Sequence, residues 1–226
     1  DNNLIIKGLP EFLLDEGIAL NQFKTVQTKG GIYEVALGYG ANVNEKFYWG
    51  ASIGIPIVSY ERNTLFTESD PTANADNNFA SFTWQDYLKT TGVGINGKIG
   101  IIYKPAPLVR LGLAIHTPSF YSLTDKENSS LTANTEGYNG TATANSSLFT
   151  GVPQGETDYT ATTPWRFMLS GSYVFRETGD ISKQKGFITA DVEYITYKTA
   201  RFNSNDNFIT AEDEYYYDDL KSVIKA

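Results

Sequence analysis

Val109-Arg110-Leu111-Gly112-Leu113-Ala114-Ile115-His116 decides how the rest of the chain reads. Successive side chains of a strand point to opposite faces, so Val109, Leu111, Leu113 and Ile115 share one face and Arg110, Gly112, Ala114 and His116 the other. A helix would scatter the same four apolar residues around its axis. The pattern recurs on both sides. Tyr33, Val35, Leu37, Tyr39, Ala41 and Val43 oppose Glu34, Ala36, Gly38, Gly40 and Asn42. Trp49, Ile53, Ile55 and Ile57 oppose Gly50, Ser52, Gly54 and Pro56, and Val93, Ile95, Ile99 and Ile101 oppose Gly94, Asn96 and Lys98. Trp165, Phe167 and Leu169 oppose Arg166, Met168 and Ser170, and Ile188, Val192 and Tyr194 oppose Thr189, Asp191 and Glu193.

The alternation predicts six strands, near 31–43, 47–68, 79–104, 108–124, 158–177 and 187–203. Several exceed the usual strand of roughly 5–6 residues. Their connections alternate too. Asn44-Glu45-Lys46, Pro105-Ala106-Pro107 and residues 177–185 are short, whereas 69–78, 125–157 and 204 onward are long and polar. Long strands with short turns at one end and long loops at the other are the layout of an outer-membrane barrel, with the long loops and both chain ends on the extracellular side. Two segments read as helices: Pro10–Phe23, an apolar cluster with Pro10 suited to a first turn, and Ala211–Ala226, with Leu220, Val223 and Ile224 at helical spacing.

Composition narrows the function. The chain has 226 residues, a formal charge of −8 and no cysteine. Nucleic acid needs a basic face and is excluded as a partner; disulfides, thiol catalysis and Cys metal sites are excluded as well. No run of apolar residues is long enough for a membrane helix of about 18–20 residues. The mean hydropathy of −0.30 does not exclude a membrane barrel, whose strands alternate. Aromatic residues make up 14% of the chain and bracket the apolar faces. Phe47, Trp49, Tyr103, Tyr173 and Phe175 sit near the short turns, and Tyr60, Phe120, Tyr121, Trp165 and Tyr197 near the long loops, as two interfacial girdles would. Glu34, Lys98, Arg110, Arg166 and Glu193 fall on the opposite face and are expected to line a lumen, because a charge facing lipid at mid-depth costs roughly 2–4 kcal/mol. The alternative is a secreted, soluble β-sandwich binding module or adhesin, with the apolar face as its core.

Several motifs carry no chemistry. Gly92-Val93-Gly94-Ile95-Asn96-Gly97-Lys98 matches GxGxxG and most of a P-loop, but it continues as a strand where a phosphate site needs a helix. Asn203, Asn205, Asn207 and Glu214 fall at calcium-loop positions, yet Phe208 occupies the place of the required glycine. His116 is the chain's single histidine, so no histidine pair for a metal exists, and no Ser/His/Asp arrangement is visible around it. Asn128, Asn139 and Asn145 open glycosylation triplets that a Ser/Thr/Asn-rich loop generates by chance. No catalytic residue, metal site or cofactor is expected, and the chain does not read as an enzyme. It starts at Asp1, as a mature secreted product or a piece of a longer protein would.

Thr28–Glu34, Lys46–Pro56, Gly97–Pro105 and Val109–Pro118, with Thr163-Pro164-Trp165-Arg166 and Ala190-Asp191-Val192-Glu193-Tyr194, resemble the FadL-type outer-membrane transporters. The resemblance implies an all-β, antiparallel transmembrane barrel that passively imports long-chain fatty acids or other hydrophobic compounds through the outer membrane of a Gram-negative bacterium. The family barrel has fourteen strands and an N-terminal plug. This chain, read as a single domain over 1–226, offers no plug and about six strands, below the roughly eight that close the smallest membrane barrel. It is therefore expected to be a partial barrel with short helices in its extracellular loops (1–30 and 204–226), its partners being membrane lipid, the transported molecule and the remainder of its own barrel. Family members carry a first substrate groove on apolar extracellular helices, which makes Phe12, Leu13, Leu14, Ile18, Leu20 and Phe23 the groove candidates here.

Overall fold

A computed structural model of the chain describes residues 17–72, 74, 77–151, 154–175, 186–204 and 220–225. Three long strands come first: β1 (Asn21–Val43), β2 (Phe47–Ser69) and β3 (Ser81–Ala106). They are followed by β4 (Val109–His116), β5 (Phe120–Asn134), β6 (Thr141–Asn145), a single helical turn α1 (Ser147–Thr150), β7 (Gly155–Thr162) and β8 (Arg166–Val174). The last elements are β9 (Phe187–Ile195), a 3-10 turn over Tyr197–Thr199, β10 (Arg201–Ser204) and β11 (Val223–Lys225). All the strands belong to one antiparallel sheet. Its main path runs β10-β7-β5-β3-β4-β8-β9-β11; β2 joins β1 to β3, and β6 pairs β5. Among the described residues β1 pairs only with β2, and the sheet does not close.

The all-β class and the strand-turn order follow the alternation. Three of the expected strands are broken, however: 108–124 at residues 117–119, 158–177 at 163–165 and 187–203 at 196–200. Pro118 and Pro164 explain the first two, since proline has no N–H to give a ladder and restricts the residue before it. Hydroxyls replace the missing ladder bonds. Gly97 N donates to Thr117 Oγ1 at 2.8 Å, Ser119 N to Thr163 Oγ1 at 2.8 Å, and Trp165 N to Thr196 Oγ1 at 3.2 Å.

Three loop expectations need correction. Residues 125–157 are not one long loop: β5 runs on to Asn134 and pairs β6 from Ser130↔Asn145 to Asn134↔Thr141. The first strand begins at Asn21, so Asn21–Phe23 are strand rather than the end of a helix. Val223–Lys225 likewise form β11 against β9 instead of a helical turn. Residues 17–20 and 220–222 are not helical either, and the rest of both expected helices, 10–16, 211–219 and 226, lies outside the described residues.

The chain divides into two compact units. The first holds residues 1–31, 59–90 and 125–157. Its strands are tied by polar side chains: Glu61 is bridged by Lys29 at 2.7 Å and Lys89 at 3.3 Å, and Asp86 takes Arg62 at 3.4 Å and the Ser129 hydroxyl at 2.8 Å. Gly30 has φ +102°, and a Cβ there would run into the Ser59 carbonyl, so this β1–β2 crossing requires glycine. In the turn after β2, Asp70 accepts bonds from the Thr72 backbone and hydroxyl, both at 2.7 Å.

The second unit holds residues 32–58, 91–124 and 158–226. Its β1–β2 turn places Asn44 and Glu45 at φ +52° and +57°, with Asn42 Oδ1 accepting from Glu45 N at 2.9 Å. Here the two faces of the sheet differ sharply. The apolar residues are uncovered: Leu37 is 77% exposed, Ile53 59% and Leu169 60%. Among the described residues the buried apolar side chains are Val174, Ile195 and Ala200 with the prolines Pro56 and Pro118. The GxGxxG stretch lies within β3, where Gly92 and Gly94 let β5 approach: a Cβ on Gly94 would sit 2.8 Å from the Phe120 carbonyl oxygen and from the Tyr121 ring. Phe47, Trp49, Tyr103, Tyr173 and Phe175 are all exposed. Of the second expected girdle, Phe120 and Trp165 are exposed, whereas Tyr121 packs against Gly94 and Tyr197 lines a polar cavity.

Candidate functional site

The register of the second unit places Lys98 of β3, His116 of β4 and Arg166 of β8 directly opposite one another. All three lie on the face away from the apolar residues, because they occupy the same phase of the alternation. Carboxylates end the row. Glu34 of β1 pairs with Lys98 Nζ, and Arg166 Nε donates to Glu193 Oε1 of β9 at 2.7 Å. The order is therefore acid, base, imidazole, base, acid.

Asn96, one same-face step from Lys98 on β3, is the hub at the Glu34 end. It is 8% exposed, and its Nδ2 donates to Glu34 Oε2 at 2.8 Å and to Ser119 Oγ at 3.1 Å. Its Oδ1 is buried without a hydrogen-bond partner and lies over Gly54, where a Cβ would come within 2.6 Å. Beside the row is a cavity of about 470 Å³ lined by Glu34, Asn96, Lys98, His116, Arg166 and the strand-break residues Thr117, Ser119, Thr163 and Pro164, with Ile195, Tyr197 and Lys225. The strand breaks thus belong to the site: each turns a threonine hydroxyl toward the neighbouring strand and leaves room that a continuous ladder would fill.

Further along the same face lies a second cavity of about 530 Å³. Gly100, Ala114 and Met168 form its first row, two residues from Lys98, His116 and Arg166, and Ile102, Gly112 and Ser170 its second. Tyr48, Trp49 and Leu113 contribute to its wall, and Asp191 supplies a carboxylate. Same-face residues are about 7 Å apart along a strand, so the polar and apolar cavities are neighbours on one surface. Both have the size of small-molecule sites, roughly 300–1,000 Å³.

Of the residues expected to be lumen polars, Glu34, Lys98, Arg166 and Glu193 come together in the row, and Arg110 lies half-buried on the same face. The groove candidates fall only partly within the described residues. Phe12, Leu13 and Leu14 lie outside the described residues, Ile18 and Leu20 are half-buried ahead of β1, and Phe23 is on β1 and exposed. Of the calcium-like stretch only Asn203 and Ser204 are described, both in β10. Among the described residues no group of acids and histidine is placed to hold a metal. Asn96, Ser119, Thr117 and Thr163 were not foreseen as site residues; the repeated Thr-Pro pair at 117–118 and 163–164 was the signal for the last three.

No family model, curated protein or solved structure matches this chain.

Proposed function

We propose that the chain is part of an outer-membrane β-barrel of the FadL type that passively imports long-chain fatty acids or other hydrophobic compounds. The observation that carries the membrane half of this reading is the uncovered apolar face of the second unit, opposite the charged row. Leaving a Leu or Ile side chain in water forgoes roughly 1.5–3 kcal/mol, and patches of this extent mark a surface that meets something apolar. A sandwich would bury that face, yet the buried apolar side chains among the described residues are only Val174, Ile195, Ala200, Pro56 and Pro118, none of them from the uncovered faces of β1 to β4. Hydrocarbon also requires every backbone polar group to be paired, so the free edge of β1 calls for further strands, the remainder of the same barrel.

The transport half rests on the quoted sequence resemblance and on the polar and apolar cavities that adjoin on one face. An apolar molecule entering such a path gains roughly 0.8 kcal/mol per buried methylene, which needs no energy source. The test is to express the full-length gene product in a Gram-negative host and fractionate it. The expected result is recovery from the outer membrane in detergent, with radiolabelled oleate uptake above that of a null strain. A monodisperse, detergent-free monomer would overturn the membrane reading, and membrane insertion with no gain in uptake of any hydrophobic compound would overturn transport.

A further inference from the structure

We infer that the second cavity of the second unit receives a cation, the ammonium of an amine whose body is apolar, and that Asp191 holds it. The inference goes beyond the transport reading above and does not depend on it.

The register sets Ile102 of β3, Gly112 of β4, Ser170 of β8 and Asp191 of β9 opposite one another in turn, so Asp191 ends one row of the cavity. Among the described residues it is the one charged group in the lining. Gly100, Ala114, Met168, Ile102 and Tyr48 make the surroundings small or apolar. The carboxylate is also uncommitted. Among the described residues it makes no ion pair, and its one hydrogen bond comes from the Thr189 hydroxyl at 3.4 Å. Glu193, two residues on, differs in being taken by Arg166. Arg110, one same-face step from Gly112 along β4, and Lys225, opposite Glu193, do not line this cavity.

A carboxylate without a cation, at the end of an apolar hollow, is complementary to an ammonium. Its two oxygens accept about four hydrogen bonds, and an ammonium brings up to three donors. A hydrogen bond between charged partners is roughly twice as strong as a neutral one, so an amine gains over an alcohol of the same length. The Ser170 hydroxyl opposite Asp191 offers one more acceptor. The first cavity carries the opposite balance, Lys98, Arg166 and Lys225 against Glu34, so the inference leaves the fatty-acid reading as it stands.

The floor of the cavity has room for the apolar body. At Gly100 a Cβ would meet nothing closer than 3.6 Å, and at Gly112 the Ser170 hydroxyl leans into the place a Cβ would take. From Asp191 to Ile102 the row crosses three strand spacings, about 14 Å. An alkyl chain anchored at Asp191 therefore lies across the strands, over Gly112 and toward Ile102.

The experiment measures binding of radiolabelled dodecylamine and dodecanol to the purified full-length gene product in neutral detergent, at neutral pH, counted against protein-free micelles. The amine is expected to bind about tenfold more tightly. Asp191→Asn keeps the shape of the side chain and removes its charge, and is expected to bring that ratio to about one. Ser170→Arg supplies Asp191 with an internal cation and is expected to do the same, which keeps the test open if the first variant does not fold. Equal binding of amine and alcohol by the unaltered protein would overturn the inference. A preference for the amine that survives in both variants would overturn it as well, because the cation would then be held elsewhere.

Discussion

The Glu34 carboxylate on β1 reaches past β2 to the Asn96 amide on β3, with 2.8 Å between Oε2 and Nδ2. The intervening residue that allows this is Gly54, since a Cβ there would meet Asn96 Oδ1 at 2.6 Å and Glu34 Cδ at 2.7 Å. Gly54→Ala must push both side chains aside. Because they are side-chain ends, the expected loss is modest, about 1 kcal/mol, in denaturant unfolding. The sharper readout is structural: the Asn96 side-chain amide resonances should lose the shift of a carboxylate-bonded NH₂.

Gly92→Ala is the contrasting case. A Cβ there meets the Ser122 backbone carbonyl, which cannot swing away. Overpacking against fixed backbone costs up to about 3 kcal/mol, so this variant should unfold at clearly lower denaturant than Gly54→Ala. Equal midpoints would contradict the close β3–β5 approach.

Leu169 and Ser170 are neighbours on β8 that face opposite ways, Leu169 on the exposed apolar side and Ser170 in the second cavity beside Asp191. If lipid covers the apolar side, Leu169→Arg should cost about 2–4 kcal/mol in a bilayer refolding assay. Ser170→Arg, with Asp191 opposite it, should change stability little. A harmless Leu169→Arg would place that face in water.

Glu45 holds φ +57°, a conformation that costs a side-chain-bearing residue roughly 1–2 kcal/mol. After Asn44, glycine is the residue such a turn prefers. Glu45→Gly is therefore expected to stabilise the protein by about 1 kcal/mol once the greater freedom of glycine in the unfolded chain is counted. Thermal unfolding in detergent measures this directly.

In the first unit, the Lys29 ammonium, and after it Lys89, hold Glu61 below its ordinary 4.5, and the Thr72 hydroxyl and backbone hold Asp70 below 3.8. A carboxylate lowered in the native state contributes stability that is complete above its unfolded value and fades as pH falls through the native one. Amide exchange around Lys29, Glu61 and Asp70 should thus be unchanged from neutrality down to about pH 5 and accelerate below about pH 4. Both groups are half-buried at the surface, so the effect is local, and Glu61→Gln should abolish the part centred on Lys29.

The strands were legible where one face is apolar and the other polar, as in Val109–His116. From Asp125 to Thr157 both faces are rich in Ser, Thr and Asn, and the period of two disappears even though β5, β6 and β7 form there. Apolar spacing at Phe23 and at Val223–Ile224 fitted a helix in sequence, but pairing with β2 and β9 outweighed it. The charged members of the site were legible as one face of the alternation. Their order was not, because it depends on which residue of β4 lies opposite Lys98, a matter of register between strands. Nor was Asn96, whose partners come from β1 and from the break after β4.

The threonine hydroxyls at the strand breaks have one more consequence. Along the line from Gly97 to Ser119 to Trp165, three consecutive inter-strand links end on rotatable side chains, and the two prolines contribute no amide at all. A single-bond rotation of Thr117, Thr163 or Thr196 releases one of the two bonds at its break, a bond that elsewhere would require moving backbone. The sheet is perforated there like a sheet of stamps: one backbone bond still holds each break, from Thr117 N to Gly97 O, Thr163 N to Ser119 O and Thr196 N to Trp165 O, and the second stitch is a hydroxyl, where the polar cavity opens.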